Sequence, residues 1–265
     1  LRIWSVANQK GGVGKTTTVV ALGGLLAARG ARVLLLDLDP QGSLTSYFGL
    51  NADGLAHSTF DLFADGAAPE RAQLLEGLVP VGEGAVRLFP ASPALATVER
   101  RAPARDGVGM RVSRALAALW DDFDYALLDT PPVLGALMIN ALAAAEQLIL
   151  PVQCEFLAVK GLERMLRTLE MLGRSTGRPL PYLIVPTMFD RRTQACVGTL
   201  RALRGQYPER IWAGFIPIDT RFRDASRAGK LPSQFDPGSR GVEAYASLLK
   251  WLLAARAPMA VGERR

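Results

Sequence analysis

The chain has 265 residues, 49% of them hydrophobic and 21% charged, with a net charge of +6. That is enough for one large core, and with no linker-like stretch, internal repeat or low-complexity tract it reads as one domain. No apolar run approaches the ~20 residues that span a bilayer, one histidine (His57) leaves no zinc constellation, and two cysteines (Cys154 and Cys196) make no disulfide framework and are expected to pack in a core or interface.

In chain order, short apolar runs alternate with helical patterns. Residues 3–7 read as a strand that runs into QKGGVGKTT. Val19, Leu22, Gly23 and Leu26 then recur at i, i+3, i+4 and i+7, and Gly30 marks the helix stop. Runs without alternation at 33–37, 125–129, 147–152, 182–187 and 213–217 predict strands buried on both faces. Helices are expected over 108–120, 157–172, 193–207 and 241–253. Residues 51–106 are rich in Ala, Gly and Pro; STFDLF (58–63) predicts a short capped helix, and the remainder reads as irregular. The pattern predicts an α/β fold, a mostly parallel sheet with helices on both faces, over residues 1–257, with 258–265 as a flexible tail.

On that scaffold the stretch after the first strand is a phosphate-binding loop. Gly11, Gly12 and Gly14, with Val13 between them, let the backbone turn with its N–H groups inward, and Thr16 and Thr17 open the helix whose N-terminus attracts an anion. Lys15 is placed to reach the β- and γ-phosphates and the Thr16 hydroxyl to bind Mg²⁺. The usual pattern has glycine at position 9, but this chain has Gln9 followed by a second lysine, Lys10. Only five lysines occur, Lys10, Lys15, Lys160, Lys230 and Lys250, against 26 arginines. Two of them within six residues point to a required compact ammonium, because guanidinium is planar and hydrogen-bonds as a fork. Asp37 and Asp39 end one predicted strand and Asp129 another, beside the loop where ligands of such sheets bind.

KGGVGKT, LLLDLDPQGSLTSYFG (34–49) and LLDTPP (127–132), with PVQCEFLAVKGL (151–162) and PTMFDRRT (186–193), together resemble the ParA/MinD group of deviant Walker ATPases, most closely the ParA branch, over essentially the whole chain. The resemblance implies a slow, partner-stimulated P-loop ATPase with ATP and Mg²⁺ as cofactors, a homodimer when ATP is bound. In it the lysine matching Lys10 reaches across a two-fold interface to the partner's phosphates. Lys10, Lys15 and Asp39 then carry catalysis, with Asp39 orienting or deprotonating the attacking water, and Asp37 and Asp129 join Thr16 at the magnesium through water. DPQGS and DTPP become switch loops that feel the γ-phosphate. No [NT]KxD loop for guanine occurs, and by resemblance Met188 and the IPID turn with Pro217 and Asp219 would enclose adenine.

Residues 187–256 hold an excess of six positive charges, equal to that of the whole chain. Such a surface suits sequence-independent contact with DNA phosphates, and the resemblance assigns it to Arg221, Arg223, Arg227 and Lys230. An adaptor protein, ParB-like or linked to cargo, would stimulate hydrolysis, in a cytoplasmic, nucleoid-associated or polar setting. Only nine residues precede Lys10, so a helix-turn-helix extension is not expected. IPIDTRFRDAS is closer to ParA-like proteins that position chemosensory arrays, so the cargo is DNA or a protein cluster. Two rivals share the loop: a MinD-like membrane-cycling ATPase, although the tail APMAVGERR lacks a basic amphipathic helix, and a nitrogenase-reductase-like iron–sulfur protein, whose cluster positions Cys154 and Cys196 do not match.

Overall fold

A computed structural model describes residues 1–64, 69–82, 84–101 and 110–254 of the chain. Eleven helices and seven strands follow one another among these residues: β1 (Arg2–Val6), α1 (Lys15–Ala27), β2 (Val33–Asp37), α2 (Ser43–Tyr47), α3 (Arg71–Glu76), β3 (Val79–Pro80), β4 (Val86–Phe89), α4 (Leu95–Arg101), α5 (Arg111–Ala118), β5 (Tyr125–Asp129), α6 (Ala136–Ala144), β6 (Gln147–Gln153), α7 (Phe156–Thr176), β7 (Tyr182–Thr187), α8 (Gln194–Gln206), α9 (Arg221–Arg227), α10 (Pro232–Phe235) and α11 (Arg240–Ala254). The strands form one sheet in the order β3-β4-β2-β5-β1-β6-β7, parallel except for the short β3. The start of the predicted 108–120 helix and the tail at 258–265 lie outside the described residues.

Both faces of the sheet are covered, which is why its strands read as unbroken apolar runs. Val33 and Leu35 point into a core shared with α1 and α11, while Leu34 and Leu36 point into one shared with α4, α5 and α6. A third cluster joins Leu148, Leu150 and Ile184 to Leu162 and Met165 of α7. Among the described residues, no helix is long and apolar enough to cross a membrane.

Two sequence expectations need correction. Residues 213–217 do not form a strand; the segment's bridge is an isolated one, Pro217 with Phe189, and Ile211 just before it makes another with Ile184. Pro217 has no N–H to give a ladder, and the ring of Trp212 folds over Gly214 so closely that a Cβ there would lie 2.4 Å from it. The stretch read as largely irregular contains α3, β3, β4 and α4, and β4 pairs in parallel with β2. It was missed because exposed Arg87 interrupts its apolar run. The capped helix at 58–63 is present as a 3₁₀ turn, Thr59–Phe63, with Ser58 and Asp61 forming a reciprocal capping box.

Helix α1 lies close to the sheet because it carries Gly23 and Gly24. A Cβ on Gly23 would sit 2.8 Å from Leu35 Cδ2 and 3.4 Å from Leu127 Cδ1, and one on Gly24 would meet Ser233 Oγ at 2.7 Å. Gly23→Val should therefore lower stability by about 2 kcal/mol through overpacking, measured by urea denaturation. A variant as stable as the parent would show that α1 can move off the sheet at no cost.

Candidate active site

Strands β2, β5 and β1 are neighbours, and their register sets the site. Asp129 pairs with Val6 on one side and with Asp37 on the other. The C-terminal ends of all three strands therefore meet where the chain leaves β1 for the glycine-rich loop. Gly12 (φ 74°) and Gly14 (φ 92°) take the left-handed conformation that side chains disfavour. The loop is anchored from outside the motif. Asn8 donates through Nδ2 to Pro151 O at 2.8 Å and accepts from Lys10 N at 3.0 Å. Thr187 Oγ1 donates to Val13 O at 2.9 Å, with Val13 itself fully buried.

The loop borders a cleft of about 270 Å³ lined by Gly11, Gly12, Gly14, Lys15, Thr16, Thr17, Asp39, Gln41, Ser43, Pro132 and Met188. Lys15 is buried, and its ammonium donates to Lys10 O at 3.4 Å. Burial lowers its pKa, opposed by the carboxylates of Asp129 and Asp39. Thr16 Oγ1 donates to Asp129 Oδ2 at 2.6 Å, and Asp129 Oδ1 is buried without a partner. Burial pushes Asp129 up to about 8, reinforced by Asp37 and opposed by the Thr16 hydroxyl and Lys15. An unpaired buried carboxylate oxygen beside a threonine hydroxyl is a donor set that fits a hard, hydrated cation such as Mg²⁺.

The three aspartates have different surroundings. Asp39 lines the cleft, where its Oδ1 accepts from Gln41 N at 3.0 Å. Asp37, expected near the metal shell, has both oxygens engaged beneath it: Oδ1 accepts from Asp39 N at 3.1 Å, and Oδ2 accepts from Thr45 N at 2.8 Å and Thr45 Oγ1 at 2.7 Å. Burial lifts it to about 6 while the Thr45 bonds pull it down. Asp37 thus shapes the loop that carries Asp39.

The remaining expected residues divide. Met188 lines the cleft and holds φ 52°, unusual for a residue with a side chain. Pro217 and Asp219 do not line it. Pro217 bridges to Phe189, and Asp219 accepts from Arg221 N at 2.9 Å and Gly241 N at 2.8 Å, so its carboxylate joins two helix starts. Lys10 does not line the cleft either; its ammonium is held by Glu155 and, at 3.4 Å, by Gln153 Oε1. Arg223, Arg227 and Lys230 are exposed. Arg221 is engaged with Asp236 at 2.7 Å and Asp224 at 3.3 Å, and its guanidinium lies over the Phe235 ring. Cys154 and Cys196 are buried together, and burial pushes the Cys154 thiol up to about 12. Asn8, Thr187 and Glu155 escaped sequence reasoning because their partners Pro151, Val13 and Lys10 lie far away in sequence; Thr45, eight residues from Asp37, and Gln41, Ser43 and Pro132 lay within the quoted motifs, which could have named them.

A buried lysine and a left-handed glycine turn at a helix N-terminus, with a threonine and carboxylate set for a cation, define a P-loop nucleotide hydrolase that carries an additional lysine at the loop's mouth. A family model described as an AAA domain matches residues 1–180. The sporulation initiation inhibitor protein Soj of Bacillus subtilis is 35% identical over 96% of this chain and 98% of its own length. The chromosome-partitioning ATPase Soj of Thermus thermophilus is 39% identical over 94% of each. Among solved structures, cobyrinic acid a,c-diamide synthase of Mycobacterium smegmatis with ADP and magnesium is 37% identical with a TM-score of 0.80, covering 95% of this chain and 94% of that one. Apo McdA of Cyanothece is 25% identical with a TM-score of 0.83, covering 95% and 99%. The chain belongs to the Soj/ParA family of partition ATPases, within the ParA/MinD group.

Thr45→Val removes the hydroxyl that donates to Asp37 and accepts from Ala91 N at 2.8 Å. It should destabilise the protein by about 3 kcal/mol, the scale for leaving buried polar groups short of partners, and slow hydrolysis because the Asp39 loop loses its anchor. Denaturation and phosphate-release assays check both, and an unchanged rate would remove Asp37 from the support of Asp39.

Proposed function

We propose that this protein is an ATP-driven dimer switch that positions cargo by binding DNA without regard to sequence and releasing it after hydrolysis. ATP would lie with its phosphates on the loop amides and Lys15, with Mg²⁺ held by Thr16 and, through water, Asp129. The ion would neutralise charge between the phosphates and polarise the transferred group. Asp39 would orient the water that attacks the γ-phosphate, and Lys15 and the amides would stabilise the charge that develops. The ATP and magnesium assignment is supported by the relatives crystallised with ADP or an ATP analogue and magnesium.

The observation that carries the dimer is the contrast between the two lysines. Lys15 points into its own cleft, whereas Lys10 lies outside that cleft against Glu155. Large apolar residues face solvent directly after Glu155 and after the DTPP loop: Phe156 and Leu157 are 74% and 66% exposed, and Val133 is 64% exposed. A second copy seated there would cover these residues and bring Lys10 to the other copy's phosphates, where two ATP molecules face to face need cations from both chains. An adaptor that stimulates hydrolysis would act on this paired state.

Lys10→Ala should retain ATP binding through Lys15 and the loop amides but lose ATP-dependent dimerisation and most hydrolysis. Light scattering with Mg-ATP checks this; a normal ATP-induced dimer would overturn the trans role of Lys10.

For DNA, the exposed Arg223 and Arg227 are the informative positions, since Arg221 already has protein partners. Pairing two weak patches on one dimer raises avidity, so DNA should be bound only with ATP. Arg223→Glu/Arg227→Glu should abolish binding to unrelated duplexes equally, with dimerisation intact. If parent and variant bind alike in a mobility assay, α9 is not the DNA surface; if the ATP-loaded parent binds anionic vesicles and no DNA, a membrane-cycling role replaces this one.

A further inference from the structure

A chain of hydrogen bonds leaves the phosphate loop and ends in the core at α11. Thr18 Oγ1 donates to Gly14 O at 2.7 Å and lies 2.8 Å from the phenol oxygen of Tyr245. A carbonyl only accepts and a threonine hydroxyl has one proton, so the phenol is the donor of the second bond. Thr18 and Tyr245 are both buried. The chain is therefore directional, from Tyr245 to Thr18 to the Gly14 carbonyl, which also accepts from Thr18 N at 2.9 Å.

The Gly14 carbonyl and the Lys15 N–H belong to the same peptide unit. Hydrogen bonds to the carbonyl polarise that unit and strengthen the N–H at the helix start as a donor to an anion; an anion on the N–H strengthens the carbonyl as an acceptor in return. What binds in the loop is thus felt at Tyr245.

The ring of Tyr245 carries the connection onward. It packs edge-on against Phe222, with centroids 5.7 Å apart and planes at 78°. Phe222 is the second residue of α9, between Arg221 and Arg223. On its other side, Phe222 lies so close to Gly241 of α11 that a Cβ there would come within 2.3 Å of the ring. Asp219 closes the arrangement by accepting from the first turn of each helix, at Arg221 N and Gly241 N. A second tie runs alongside: Tyr47 of α2 donates to Lys230 O at 3.0 Å, just beyond α9. Ser43 of α2, and Gln41 two residues before it, line the cleft.

We propose that Tyr245 is a positioning residue that ties the phosphate loop to the basic helix α9, so that nucleotide in the loop sets how firmly α9 is held. This rests on the reading of the cleft as a nucleotide site and is independent of whether α9 meets DNA. The link is a packed hydrogen-bonded contact in the ground state, and the nucleotide shifts its strength through the Gly14–Lys15 peptide.

Amide hydrogen exchange on the full chain, with and without Mg-ATP, tests it. In the parent, ATP should slow exchange both in the loop at 10–17 and in residues 221–230. Tyr245→Phe keeps the ring and its packing on Phe222; it should weaken ATP binding by roughly fivefold, the scale of one hydrogen bond, and lose most of the slowing at 221–230 at saturating ATP. Thr18→Val should do the same, and Thr18→Ser, which keeps the hydroxyl, should behave like the parent. Full slowing at α9 in Tyr245→Phe, or equal losses in the serine and valine variants, would overturn the proposal. So would a parent whose loop is protected by ATP while α9 does not respond. If the loop itself is not protected, the nucleotide reading fails, and this inference fails with it. The Arg223 and Arg227 variants report on DNA separately, and an α9 that responds to ATP without binding DNA would leave this link standing.

Discussion

Three ionisable side chains converge in the dry interior at the ends of β1, β2 and β5. The register pairing of Asp37 with Asp129 sets two carboxylates side by side, and Lys15 enters the same region at the start of α1. Like charges at that spacing in a low-dielectric interior cannot both ionise freely, and burial accordingly raises both aspartates. The fold resolves the conflict unequally. Asp37 is saturated by Thr45 and the backbone of Asp39, whereas Asp129 keeps one oxygen unpaired beside Thr16. A magnesium–phosphate pair would answer both the unpaired oxygen of Asp129 and the buried ammonium of Lys15.

The supports of this site come from widely separated parts of the chain. Asn8 and Thr187 fix the loop to β6 and β7, Thr45 fixes the Asp39 turn to β2, and Thr18 hands the loop to α11 through Tyr245. Because Asp37 holds both Asp39 N and Thr45 of α2, the turn that carries Asp39 is fixed to α2. Because the Gly14 peptide is held from behind, occupancy of the loop passes into α11 and α9. The glycines at 23 and 24 make these connections short by letting α1 lie directly on Leu35 and α10.

Lys10 adds a different kind of constraint. In the single chain it neutralises Glu155 at the start of α7, beside exposed Phe156 and Leu157. In the proposed dimer, engaging a partner's phosphates would mean giving up this local pair. The partly exposed pair is worth little by itself, so the exchange would turn on whether a second, more concentrated negative charge is present.

The amino-acid sequence by itself determined the alternation of strands and helices, the two-sided burial of VLLLD, YALLD and YLIVPT, the glycine loop, and the grouping of Lys15, Thr16, Asp39 and Asp129 at strand and helix ends. Those features depend on local periodicity and on the backbone freedom of particular residues, and both are written in contiguous residues. Tertiary structure decided the rest. Four-residue β4 was missed because exposed Arg87 interrupts its apolar run, and 213–217 looked like a strand because apolar content does not reveal that Trp212 covers Gly214. Asp219, a base contact by resemblance, became a clamp between α9 and α11; Arg221, assigned by resemblance to DNA phosphates, is held by Asp236; and Lys10 turned to Glu155. Each of these outcomes is a choice among partners distant in sequence, made by which groups the packed sheet brings within hydrogen-bonding reach.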